Sequence, residues 1–200
     1  MEVVKWQYRN PYHSTRHDTE RLFVFGAHTV AMKQHPSADI GLHQNTGFLV
    51  WDGAYIMARF IFERLDLRHK TCLELGAGSG LVSIAACLHG AKSVVATDLP
   101  EYQPGQAVDQ GVVQHPVDVV FGSEILYLAD QHHALLRTLG QIMHNTSVAY
   151  FIYKDRGLGE HGFVSRAQEQ GFLVKELPKA LIDSEFKDEA YHLLRLNKHI

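Results

Sequence analysis

Two rhythms of apolar residues run along this chain. Near its start, Arg21–Phe25 and His28–Met32 alternate apolar and polar positions on either side of Gly26, the pattern of a β-hairpin. Residues 33–46 read as loop, and Gly47-Phe48-Leu49-Val50-Trp51 is a short apolar run. Asp52 can then N-cap a helix from about Gly53 to Leu65, with Ile56, Phe60 and Ile61 on one face. Beyond residue 70 the rhythm changes, and strands and helices take turns. Thr71–Leu75, Ser93–Thr97, Val117–Phe121, Ser147–Tyr153, Phe172–Glu176 and Tyr191–Leu196 read as strands. Leu81–His89, Asp130–Leu139 and Glu160–Gln170 read as helices stopped by Gly90, Gly140 and Gly171. This alternation predicts an α/β fold, a parallel sheet with helices on both faces. Residues 1–20 read as a polar N-terminal arm, and 21–200 as a single domain opening with the hairpin at about 21–34.

Composition narrows the class. A chain of 200 residues with 46% hydrophobic and 20% charged residues is long enough for one well-filled core. A net charge of −3 offers no basic field for nucleic acid or a membrane surface. No apolar run approaches the roughly 18 residues of a membrane span, and the polar start lacks the apolar stretch of a signal peptide. Cytoplasm is the expected compartment, with the nucleus the alternative. Cys72 and Cys87 read as buried, unbridged thiols. The 14 histidines are scattered, without an H-E-x-x-H or C-x-x-C motif, and read as surface and helix-end residues with no metal site.

Leu73-Glu74-Leu75-Gly76-Ala77-Gly78-Ser79-Gly80 carries the most chemistry. A strand enters a loop with glycine at every second position, and a helix leaves it. Glycine lacks a Cβ and accepts positive φ, so such a loop lets backbone approach a ligand closely. The dinucleotide fingerprint G-x-G-x-x-G would need a last glycine where Leu81 stands. Glu74, just before the first glycine, would repel a pyrophosphate and suits a ligand with a cationic amino group. The loop therefore points to S-adenosylmethionine. Three further features fall at predicted strand ends or beside the core strand: Asp98, suited to ribose hydroxyls; Gly122-Ser123-Glu124-Ile125-Leu126-Tyr127; and Trp51-Asp52. Taken singly, each has a structural reading: a plain strand–helix turn, a turn at Asp98-Leu99-Pro100, a core tryptophan, and a helix-start carboxylate at Glu124.

Together they resemble the seven-β-strand, S-adenosylmethionine-dependent protein methyltransferases of the methyltransferase-like twenty-one group, also called methyltransferase family sixteen. The resemblance covers roughly residues 21–196 and rests on Thr46-Gly47-Phe48-Leu49-Val50-Trp51-Asp52-Gly53-Ala54, the glycine loop through Leu81, Thr97-Asp98, and Phe121 to Tyr127 with its (Asp/Glu)-x-x-Tyr motif. It implies a Rossmann-like class I sheet of strand order 3-2-1-4-5-7-6. It also implies that Glu74, Gly76 and Gly78 cradle the methionine end of the cofactor, Asp98 takes the ribose, Leu99 packs on the adenine and Trp51 closes over it. Ser123 would complete the cofactor-binding set, while Glu124 and Tyr127 would shape the methyl-acceptor channel. The implied activity is methylation of a lysine side chain of a protein substrate by a monomer.

One stretch departs from the pattern. After Asp98 the family has a helix and a third strand ending in an acidic residue that contacts the adenine. Here only Leu99 to Pro104 precede Gly105-Gln106-Ala107-Val108-Asp109-Gln110-Gly111, in which Asp109 stands in the acidic place. Six residues, two of them proline, cannot carry a crossover helix, which needs a dozen or more. Either the third strand is absent, or 105–111 returns as a loop over the adenine site. Two other functions fit the same residues: a small-molecule methyltransferase, and a binding module on the same fold that has lost the cofactor.

Overall fold

The computed structural model describes residues 18–35, 46–98, 117–182, 184–186 and 189–198. β1 (Glu20–Phe25) and β2 (His28–Lys33) form an antiparallel hairpin, with Phe23 opposite Val30 and Phe25 opposite His28. A six-stranded sheet follows: β3 (Thr71–Leu75), β4 (Ser93–Thr97), β5 (Val117–Ser123), β6 (Met143–Lys154), β7 (Phe172–Glu176) and β8 (Tyr191–Lys198). Its order is β4-β3-β5-β6-β8-β7. The first four strands of that order run parallel, and β8 is antiparallel to both its neighbours. This is the family's order without the outermost strand: among the described residues β4 lies at the edge. Leu99, Asp109 and the shortened stretch 99–116 lie outside the described residues.

The period-two alternation of the strands separates two cores. Cys72, Val119, Phe121, Ile152 and Leu193 point to one face and meet α1 (Asp52–Arg64) and α2 (Leu81–Leu88). Leu73, Val120, Phe151, Leu194 and Leu196 point to the other and meet α3 (His132–Ile142) and α4 (Gly162–Glu169). α2 is apolar almost throughout because it is covered twice: the hairpin's Phe23, Phe25, Val30 and Met32 pack onto Leu81 and Ala85 from outside.

Several sequence expectations are corrected. α1 begins at Asp52, with Trp51 at the N-cap and no side-chain cap, so Asp52 lies in the first turn. α3 starts at His132 after a 3-10 turn (Ala129–Gln131) and runs past Gly140 to Ile142. Packing of Leu136, Leu139 and Ile142 on the sheet carries it through the glycine, because propensity is the weaker force. The third helix of that reading, α4, starts two residues later than expected. β6 begins at Met143, four residues early. β5 does not close at Gly122 but runs through it to Ser123. Cys72 is buried as expected, whereas Cys87 is exposed on α2, and neither is bridged. His132 departs from the surface assignment and is buried.

Gly122 lies within β5 because there is no room for a side chain. A Cβ there would stand 2.5 Å from Cε1 of Phe151 and 2.8 Å from Cδ1 of Ile125. Gly122→Ala should therefore cost about 1–3 kcal/mol of overpacking strain, read by denaturant unfolding, and Phe151→Leu in the same chain should recover part of it. Unchanged unfolding midpoints for Gly122→Ala would contradict the packing described.

Candidate active site

The glycine loop needs its glycines for backbone reasons. Gly76, Gly78 and Gly80 have φ of 66°, 49° and 82°, all in the left-handed region. Two of the positions are also crowded. A Cβ on Gly76 would stand 2.5 Å from Cγ2 of Ile125, and one on Gly78 would stand 3.3 Å from the carbonyl oxygen of Gly47. The loop is thus held between the segment after β5 and the segment before α1. It is also tied to the end of β4. Ala77 N–H donates to the Thr97 carbonyl at 3.0 Å, the Thr97 hydroxyl donates to the Glu74 carbonyl at 2.9 Å, and Gly78 N–H donates to the Asp98 carboxylate. Asp98 therefore lies against the loop, where the sequence placed it.

Glu74 is buried, 1% exposed, on β3. One carboxylate oxygen accepts the Ser83 amide at 2.8 Å and the Ser83 hydroxyl at 2.5 Å. Ser83 is the third residue of α2, whose N-cap, Gly80, has no side chain to offer. Glu74 thus caps the helix from the neighbouring strand. The sequence reading gave it only a ligand role. Its other oxygen, Oε1, is buried with no hydrogen-bond partner. Burial pushes its pKa up to about 7, against the lowering hydrogen bonds from Ser83, while the negative charge of Asp98 adds to the rise. A buried acceptor short of one partner, beside a glycine loop of free approach, is what the ammonium of S-adenosylmethionine requires.

The segment before α1 is anchored by the hairpin. Buried Gln34 accepts the Val50 amide at 2.8 Å and donates to the Asp18 carbonyl at 2.8 Å, while the Arg21 guanidinium donates to the Val50 carbonyl at 2.8 Å. This fixes Trp51, half-buried at the start of α1, with the Arg156 guanidinium carbon 5.9 Å from its ring centre. Trp51 is therefore only half-buried beside Arg156 and is not a core residue.

Glu124 has a φ of 58°, rare outside glycine, and lies just past the end of β5. It is no helix-start carboxylate, because α3 begins eight residues later, at His132. Its amide donates to the Ile152 carbonyl at 2.8 Å. Its carboxylate packs on the first turn of α1, where a Cβ on Gly53 would meet its Cγ at 2.6 Å. Oε2 accepts from Arg156 Nη1 at 2.7 Å and from the Lys154 amide at 3.4 Å. Oε1 is buried without a partner, as in Glu74. Ser123, half-buried, ends β5 opposite Ile152, and Tyr127 is half-buried one turn further on. The carbonyl of Leu126, between Glu124 and Tyr127, accepts from Nε2 of His132 at 2.8 Å, and Nδ1 of His132 accepts from Arg166 at 2.8 Å. A carbonyl only accepts and a guanidinium only donates, so this histidine is neutral with its proton on Nε2. Burial lowers its pKa in the same sense.

The structure thus brings Trp51, Glu74, Gly76, Gly78, Asp98, Ser123, Glu124 and Tyr127 to one end of the sheet, the carboxyl ends of its parallel strands. Sequence reasoning missed Arg156, Gln34 and His132. Arg156 was within reach of the rule that found the others, since it lies just beyond the carboxyl end of β6.

Comparison with known proteins bears on these residues. The chain matches the model of the lysine methyltransferase family over residues 34–108 and 105–170, two pieces that meet in the stretch where the sequence is short. It is 28% identical over 178 residues to mouse protein N-lysine methyltransferase METTL21A, covering 77% of this chain and 79% of that protein. It is 30% identical over 162 residues to mouse EEF1A lysine methyltransferase 3, covering 70% of this chain and 67% of that protein. Among solved structures, the ribosomal protein L11 methylase of Lactobacillus delbrueckii subsp. bulgaricus has a TM-score of 0.55 at 20% identity, over 72% of this chain and 77% of its own. A TehB-like SAM-dependent methyltransferase of Corynebacterium glutamicum has a TM-score of 0.54 at 18% identity, over 71% of this chain and 86% of its own. The fold is that of the class I methyltransferases, and the cofactor is S-adenosylmethionine.

Glu74 sets opposite pH trends for folding and for cofactor binding. Its folded pKa, about 7, exceeds the ordinary 4.5, so the folded state holds this proton more tightly than the unfolded chain. Its contribution to the stability of the ligand-free protein therefore falls as pH rises from 4.5 to 7, by at most about 1.4 kcal/mol per pH unit. Glu74→Gln should remove that slope and leave the ligand-free protein more stable at neutral pH, measured by thermal unfolding across pH. The same variant should weaken S-adenosylmethionine binding about tenfold or more, and wild-type binding should strengthen as pH rises through this window.

Proposed function

The chain belongs to the lysine methyltransferase family, and on that premise we propose that Glu124 receives the amine of a protein lysine to which the methyl group is transferred. The observation that carries this assignment is the half-satisfied carboxylate: Oε2 is held by Arg156 and the Lys154 amide, while Oε1 is buried and unpartnered. A buried acceptor in that condition costs on the order of 1–3 kcal/mol until a donor arrives. A lysine amine is such a donor.

When bound, S-adenosylmethionine supplies a methyl group on a cationic sulfur that departs as a neutral thioether, so no further activation of the leaving group is needed. The protein's task is to bring a neutral amine into line, and its contribution is largely proximity and alignment. A free lysine holds its proton up to a pKa of about 10.4. A channel stripped of water disfavours the ammonium, and an N–H donated to Glu124 Oε1 turns the lone pair toward the methyl group. The extra proton leaves to solvent, so Glu124 need only orient the amine. Tyr127 forms the aromatic wall of the channel. Glu74 takes the ammonium of the cofactor, Asp98 its ribose, and Trp51 closes over it, with Gly76, Gly78 and Ser123 giving close backbone approach.

The partner is a protein acceptor. Relatives named for EEF1A make that protein the first acceptor to try. A net charge of −3 offers no basic field for nucleic acid, and the proposed working form is a monomer in the cytoplasm or nucleus.

Incubation with tritiated S-adenosylmethionine and a cell lysate should label a discrete protein band on lysine. Glu124→Ala should remove the label by a factor of about a hundred or more while the thermal shift on adding S-adenosylmethionine is kept. Loss of both together would assign Glu124 to the cofactor site instead.

A further inference from the structure

We propose that Arg156 is a positioning residue for methyl transfer, holding Glu124 so that its second oxygen receives a lysine as the neutral amine and not as the ammonium. This rests on the role given to Glu124 above.

The geometry of the pair is built from several sides. Arg156 Nη1 lies 2.7 Å from Glu124 Oε2 and 3.3 Å from the Lys154 carbonyl, and its guanidinium faces the Trp51 ring at 5.9 Å. The backbone beneath it is fixed by Glu160, 1% exposed, which accepts the Arg156 amide at 3.3 Å and the Leu158 amide at 2.8 Å. Asp155 adds a turn, accepting the Gly157 amide at 3.0 Å, and its own amide donates to the Ala190 carbonyl at 2.7 Å. A buried carboxylate thus organises a loop of two glycines so that one arginine reaches back 32 residues to Glu124.

Among the described residues the neighbouring charged groups have partners of their own. Lys154 Nζ is paired with Glu189 and lies 5.1 Å from the centre of the Tyr191 ring. Asp52, on α1, accepts from the Tyr191 hydroxyl at 3.5 Å. Asp155 Oδ2 is paired with His161 at 2.8 Å. Glu160 spends its oxygens on backbone amides. Among the described residues, Arg156 is the cation paired with Glu124.

That balance has a consequence for the substrate. An unbalanced buried carboxylate would draw lysine in as an ammonium, whose lone pair already carries a proton and cannot attack. A guanidinium is charged at every working pH, so with Arg156 in place a second cation gains little at Glu124. A neutral amine still gains a hydrogen bond at Oε1. Arg156 also holds the carboxylate in a backbone conformation that glutamate rarely adopts, at φ 58°.

The test uses Arg156→Gln and Arg156→Lys with tritiated S-adenosylmethionine and a dilution series of one lysate, read as label in the acceptor band. Arg156→Gln should lower kcat about tenfold or more while the apparent KM for the acceptor is unchanged or lower, because the ground state binds at least as well and reacts less. Arg156→Lys restores the charge and should bring kcat back to within about threefold of the unmodified protein. Both variants should keep the thermal shift given by S-adenosylmethionine. A raised KM with kcat intact, a lost cofactor shift, or an Arg156→Lys no better than Arg156→Gln would each overturn the assignment. An unmodified protein that labels no band would overturn the lysine acceptor reading itself, a result distinct from any of these.

Discussion

A buried carboxylate that is capped on one side and left open on the other organises this molecule. Glu74 sits in the central strand of the site, caps the first turn of α2 through Ser83, and keeps one oxygen without a partner. Removing it would leave the N-terminus of α2 without a cap, since Gly80 cannot supply one. Gly80 in turn is required by its φ of 82° at the loop's exit. The backbone demands of the glycine loop thus create the capping problem, and the cofactor-reading residue solves it. The cost is a carboxylate held out of water, which the open oxygen makes worse until a cation arrives. Stability and binding are linked at that one atom.

Glu124 repeats the arrangement at the end of the next strand. It too has one oxygen held, here by Arg156 and the Lys154 amide, and one left buried and open. The two groups serve opposite ends of one transfer. On the proposed reading Glu74 takes an ammonium, which is to stay charged, and needs no balancing cation of its own. Glu124 is to receive a group that must be neutral when it reacts, and it alone is given a fixed guanidinium. The difference in chemistry between the two ligands accounts for the difference between the two settings.

What was legible in the sequence follows the range of the forces involved. The glycine loop, Asp98 and Glu124 could be read because each is a local requirement: left-handed backbone, a strand end, a motif spaced within four residues. The alternation of strands with helices gave the α/β class for the same reason. The glycine at 140 misled because helix termination there depends on how Leu139 and Ile142 pack, which is a tertiary matter. Gln34, and the pairing of Arg156 with Glu124, were invisible because these contacts span 16 and 32 residues and leave no periodic trace. The hairpin was read as structure with no further role, yet its neighbouring Gln34 and its Arg21 hold the Val50–Trp51 backbone in place.

The edge position of β4 matters for how much of the site rests on described residues. Among the described residues, contacts that fix Glu74, Asp98 and the glycine loop come from β3, β4, α2 and the segments beside Gly47 and Ile125. The family match breaks into two pieces within the stretch 99–116, which lies outside the described residues. On the proposed reading, this frame serves the methionine and ribose ends of the cofactor. The adenine wall is the part that Leu99 and Asp109 would supply on that reading, and both lie outside the described residues. The proposed reading makes binding of the cofactor and the rate of transfer separable, because Glu124 and Arg156 are held by β5, β6 and α1, on the other side of β3 from the Asp98 end of β4.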